Sequence, residues 1–148
     1  MRIRPVAGDV LWAWLIATLF SGLPSTLYFT ATGQSLWPPI HAVGAMLLPP
    51  QSLPAPIFVA AALVHSAVSL FWTIVVAVAA PVKRVILYAL GASALIAVLD
   101  LRLIAPWLFP EVAALSFPPQ LADHLMWGLL VGVTLKSRRT QRHAVGRG

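Results

Sequence analysis

The chain has 148 residues, of which 59% are hydrophobic and only 9% charged, against about 25% charged in an ordinary soluble domain. Ten basic and four acidic side chains cannot cover a globular surface, which excludes a water-soluble globule and makes lipid the expected solvent. With no cysteine, disulfide frameworks, thiol redox catalysis and Cys-ligated metal centres are excluded as well.

A helix needs about 20 apolar residues to cross a hydrocarbon core of about 30 Å. Four stretches bounded by charge or proline meet that length, so the sequence predicts an all-α integral membrane bundle of four transmembrane helices in a single domain. The first runs from Val10 to Phe29, with Asp9 expected as its N-cap and the SGLPST segment expected to kink it at Gly22 and Pro24. Ser and Thr beside the kink can satisfy the carbonyl groups it frees. The loop that follows holds Pro38, Pro39, Pro49, Pro50, Pro54 and Pro56 around the apolar run IHAVGAMLL. That run is too short to cross and is expected to be interfacial or re-entrant.

The second span, Ile57 to Ala80, carries His65 as its one ionisable group and is closed by Pro81. The third, Val85 to Ala105, contains Asp100 and Arg102 near its far end, and Pro106 and Trp107 mark its exit. The fourth, Pro119 to Leu135, is the shortest and carries Asp123 and His124 in its first turns; the basic tail 136–148 follows it.

Nine of the ten basic residues fall on one side of this arrangement: Arg2 and Arg4, Lys83 and Arg84, then Lys136, Arg138, Arg139, Arg142 and Arg147. The connections from Ala31 to Pro56 and from Pro106 to Pro118 have none. Lys and Arg stay on the cytoplasmic side of short loops, so both termini are expected in the cytoplasm, in a bacterial inner membrane. The first apolar stretch exceeds a signal-peptide core and lacks a small-residue cleavage site, which predicts a retained helix. The basic tail is expected to meet anionic lipid headgroups and not nucleic acid.

An ionisable group in hydrocarbon costs at least about 2.5 kcal/mol near the centre. At about 1.5 Å per residue, His65, Asp100, Asp123 and His124 all fall in the outer half, on three different helices, and are expected to form one polar cluster or transport site. His41 and Gln34 are placed to approach it. Each member also has a plainer reading: Asp123 as the cap of its own helix, His65, with Ser66 beside it and Ser69 one turn on, as a neutral core histidine hydrogen-bonded across helices, Arg102 snorkelling to headgroups. Gly128 and Gly132 form a GxxxG that serves either bundle packing or a dimer seam, and Ala89, Ser93 and Ala97 repeat at the same spacing. AVGAMLLPPQ at Ala42 to Gln51 aligns with EVAALSFPPQ at Glu111 to Gln120, which predicts two parallel halves.

The segments SGLPSTLYF, PPQ and PPQLADHLMWG resemble small uncharacterised four-helix bacterial membrane proteins with no assigned activity. That resemblance implies a four-helix membrane protein and transfers no functional residue. HExxH, Walker, GxSxG and dinucleotide-binding signatures are all missing. The expectation is a non-enzymatic accessory or structural membrane protein, with a small proton-linked or solute carrier or channel as the alternative. No cofactor or metal is implied. The expected partners are the bilayer and a second copy or another membrane protein.

Overall fold

The computed structural model describes residues 6–145; Arg2, Arg4 and Arg147 of the basic tally lie outside them. The described chain is helical with no strand: α1 (Ala7–Phe20), α2 (Leu23–Ala31), α3 (Trp37–Gly44), α4 (Pro54–Ala79), α5 (Val85–Val98), α6 (Ala105–Leu108), α7 (Pro110–Ala113) and α8 (Phe117–Val145). Three continuous rods are long and apolar enough to cross a membrane, namely Ala7–Ala31, Pro54–Ala79 and Val85–Leu108. Their outward faces carry Leu19, Leu27, Leu63, Leu87 and Leu95, all more than half exposed, which suits a lipid solvent. α8 is longer than any of these, but Gln120, Asp123 and His124 at one end and the basic residues at the other dilute its apolar character.

Proline places most of the helix boundaries. Pro54, Pro38 and Pro110 stand in first turns, where the missing N–H is one that would lack a partner anyway. Pro118 and Pro119 likewise open α8. Pro24 does the opposite: within the first rod it breaks α1 from α2 at Ser21 and Gly22. The Gly22 carbonyl, which takes the Thr26 N–H at 3.0 Å, also accepts from Thr26 Oγ1 at 2.7 Å and Ser25 Oγ at 3.2 Å. Pro106 does not end the third rod, contrary to the sequence expectation. The helix continues to Leu108 by widening over Leu99–Ile104 into a π turn, with Ala105 N–H bonded to Asp100 O. A proline that cannot donate and crowds the preceding turn accounts for that shift.

α2 ends in a Schellman motif, in which Gly33 at φ +68 lets Gln34 N–H reach Phe29 O at 2.8 Å. α3, the short segment expected to be interfacial or re-entrant, lies against α4. There Gly44 meets Ile57 so closely that a Cβ would stand 2.8 Å from Ile57 Cγ2.

The long helices form a row, α5 beside α8, α8 beside α1, α1 beside α4. α1 begins where α8 ends, so these two run antiparallel, and the starts of α1 and α5 share one end of the row with the ends of α4 and α8. We call this the basic end. Small residues hold it together: Ala13 and Ala17, Ala77 and Ala80, Ala89, with Val76, Val131 and Leu135 between them. The two glycines of the GxxxG face α5, where a Cβ on Gly132 would lie 2.8 Å from Ile86 Cα and one on Gly128 would meet Ser93 and Ala89. The spacing-four stripes of α5 and α8 therefore pack on each other.

Two expectations are corrected here. Asp9 does not cap α1, because the helix starts two residues earlier; its carboxylate is buried instead against Arg138 at 3.6 Å and Arg142. The aligned PPQ segments have different structures, a turn at Pro50 and Gln51 but the first turn of α8 at Pro118 to Gln120, so the two halves are not structural copies.

Candidate functional site

α4 and α5 follow one another in the chain yet hardly touch. Near the basic end the shared core fills the space between them. Toward the other end the gap opens into a cavity of about 550 Å³ with mostly apolar walls, among them Val64, Val68, Phe71, Leu101, Ile104 and Trp127. His65, Asp100, Asp123 and His124 all line it. Three separate helices bring them there: α4 carries His65, the π turn carries Asp100, and α8 carries the other two. Widening the third rod changes the angular step between residues, and with it the direction in which Asp100 leaves the helix.

Asp123 does not cap its own helix. It lies two turns into α8 and accepts the backbone N–H of Ser25 at 2.8 Å. That N–H stands in the first turn of α2, where the break at Pro24 leaves it no helical acceptor. Asp123 therefore caps a neighbouring helix, and a carboxylate there also faces the positive end of the α2 dipole.

His124 Nδ1 lies 2.8 Å from Gln120 O. A carbonyl can only accept, so Nδ1 carries a proton and donates it to that carbonyl. Nε2 in turn faces Asp100 Oδ2 at 3.8 Å, with both side chains between a quarter and a third exposed. The gap is wider than a hydrogen bond, and the two groups form an ion pair when the imidazole is protonated.

His65 Nε2 donates to Thr18 O at 3.1 Å and has Ser21 Oγ at 3.5 Å. These bonds cross from α4 to α1, as the core-histidine reading expects, but the ring is exposed and Ser69 is not its partner. Ser69 instead accepts from Thr18 Oγ1 and from Trp127 Nε1, both at 2.9 Å. This buried knot ties α1, α4 and α8 together at the floor of the cavity. His41 and Gln34 do not join the site: His41 Nε2 donates to Pro50 O at 2.7 Å and closes its own loop, and Gln34 is exposed. Arg102 is exposed and lies over the Phe117 ring at 4.4 Å, outside the cavity.

Ser25, Thr18, Gln120 and Trp127 were not singled out by sequence as parts of the site. Pro24 held a signal for Ser25, since an N–H orphaned by a proline break in lipid demands an acceptor from elsewhere. At the basic end Arg139 is almost wholly buried and donates from Nη2 to Ala77 O at 2.9 Å, capping the last turn of α4. Among the described residues no group of three His, Asp or Glu side chains is placed to hold a metal ion.

Comparison of the chain with known protein families, with curated proteins and with solved structures finds no match.

Proposed function

We propose that this is a four-span protein of a bacterial inner membrane, both termini cytoplasmic, acting as a non-enzymatic accessory protein that holds a small, mostly apolar molecule in the outer half of the bilayer. The observation that carries the reading is the convergence of four polar side chains from three helices on one largely apolar cavity. A few placed polar groups in an apolar hollow are the usual make-up of a small-molecule site. The Thr18, Ser69 and Trp127 knot and the small-residue core lie below the cavity, which favours holding over conduction.

The fourth span is supported by packing. α8 lies along both α1 and α5, its start beside Ser25 and Asp100 and its end beside Asp9 and Ala77. Any slab of lipid that covers those two helices also covers α8. The orientation follows from the basic end. Single cysteines replacing Ser52, Ser116 and Ser137 should label from outside, outside and inside respectively; labelling of position 137 from outside overturns the topology.

The holding role is tested by thermal unfolding of the purified protein in nanodiscs with the neutral probe 1-adamantanol. At a hundredfold excess over Kd the ligand should stabilise by about 2.7 kcal/mol, and Val64→Trp, which fills the cavity, should abolish the shift. Equal shifts in both proteins, or none in either, sink the reading.

One observation favours the carrier alternative. The pair Asp100 and His124 sets a titratable imidazole 3.8 Å from a carboxylate, and proton coupling requires a group that gains and loses charge. Proteoliposomes with an entrapped pH dye decide it. Wild-type flux that is lost in folded Asp100→Asn establishes the carrier, and absence of flux in both retains the accessory role.

A further inference from the structure

We propose that the occupant of the cavity is a neutral, lipid-soluble carbonyl compound, a ketone or ester with an apolar body, whose oxygen accepts a hydrogen bond from Gln120 Nε2. The proposal rests on reading the cavity as a binding site, and adds the chemical class of what it holds.

Most polar groups around the cavity are matched within the protein. Asp100 and His124 face each other at 3.8 Å and form their own ion pair when the imidazole is protonated. His124 Nδ1 donates to Gln120 O, His65 Nε2 donates to Thr18 O, and Asp123 accepts the Ser25 N–H. Gln120 Nε2 is the exception: the side chain lines the cavity, yet this nitrogen is buried and has no hydrogen-bond partner among the described residues. An amide nitrogen donates and does not accept, and a donor shut away from water without a partner forfeits its whole solvation. A lone-pair oxygen is what satisfies it. The last torsion of a glutamine is broad and roughly two-fold, so the amide turns toward an oxygen in the cavity at little cost.

The way in sets the charge. Val43 and Met46 from the first loop region and Val112 and Leu115 from the second cover the end opposite the basic end, where α3 and α7 pack on each other. The gap between α4 and α5 is left as a side entrance, and its walls Val68, Phe71 and Ile104 are each more than two-fifths exposed. Both flanking helices belong to rods of membrane-spanning length, so this entrance opens on acyl chains. A molecule that arrives from hydrocarbon is neutral, because a charge there is costly. An anion would also meet the Asp100 and Asp123 carboxylates, with neither Lys nor Arg lining the cavity among the described residues to offset them.

Three probes with one skeleton test this: 2-adamantanone, 2-methyleneadamantane, in which a CH2 group replaces the oxygen, and 2-adamantylamine. Each is titrated calorimetrically into the full chain in phosphatidylcholine nanodiscs, with empty nanodiscs as the blank for partitioning. The ketone should bind about three- to tenfold tighter than the methylene compound, the range of one neutral hydrogen bond, and tighter than the amine. Gln120→Met, which keeps the length of the side chain and removes the donor, should bring the ketone down to the affinity of the methylene compound while leaving the latter unchanged. A second readout needs no variant: the infrared carbonyl band of the ketone bound to the wild type should lie at lower frequency than in empty nanodiscs, because an accepted hydrogen bond weakens the C=O bond. Equal binding of ketone and methylene compound, an unshifted band, a ketone preference that survives Gln120→Met, or tightest binding of the amine overturns the carbonyl assignment while leaving the cavity reading in place. Failure of all three probes to bind overturns the cavity reading itself.

Discussion

The two ends of the helix row solve the same problem differently. At the basic end, alanine and glycine let backbones approach, the Asp9 carboxylate is buried against Arg138 and Arg142, and Arg139 caps α4. At the other end, bulkier side chains line a gap, and the carboxylates and imidazoles stand at the edges of open space. In lipid, where hydrophobic association is weak, close backbone packing holds helices together. A region that gives up close packing gains room, and that difference separates the two ends.

Substitutions should break that contrast in a graded way. The largest effect is expected from Gly128→Leu, whose side chain would drive into Ser93 and the Ala89 backbone. Overpacking should cost about 3 kcal/mol, read as a lowered midpoint of unfolding in mixed micelles. Gly91→Leu, where a Cβ meets open space, should leave that midpoint unchanged or slightly raised. Asp9→Asn comes next, at about 2 kcal/mol: the carboxylate is buried, but its two arginines are partly exposed and can turn away. Restoration of the midpoint by added Arg138→Gln and Arg142→Gln would confirm that unpaired charge causes the loss.

Effects at the cavity end should be smaller. Asp123→Ala removes the cap on the α2 break and should cost about 1 kcal/mol, with faster amide exchange confined to Ser25 and its neighbours. Asp100→Asn should cost about 0.5 kcal/mol or less in the empty protein, because the pair is wide and partly exposed. A loss at Asp100 as large as that at Asp9 would erase the distinction between the two ends.

The sequence carried the helices more legibly than their partners. Length, hydropathy and proline located the three apolar rods, the kink at Gly22 and Pro24, and the gathering of His65, Asp100, Asp123 and His124 in one place. Those are local properties, readable from one segment at a time. The roles of Asp9 and Asp123 were not local: each looks like the cap of the helix it sits near, and each serves a different helix once the row assembles. Pro106 misled for a related reason. A proline in a polar loop ends a helix, but within an apolar rod the backbone must keep its hydrogen bonds and widened into a π turn instead. The Ser69 knot left no periodic signal, since its three members come from segments far apart in the chain.

The pairing of Asp9 with Arg138 and Arg142 has a consequence in time. Asp9 is made about 130 residues ahead of its partners. At ribosomal rates the interval is on the order of ten seconds. Through that interval the carboxylate has no cation to rest against in α1, α4 or α5, so the first helix must keep its start at the aqueous boundary until α8 emerges and locks it. Emergence of α8 is then the step that locks the start of α1 in place, and chains that stop before Arg138 should be the ones a quality-control protease removes.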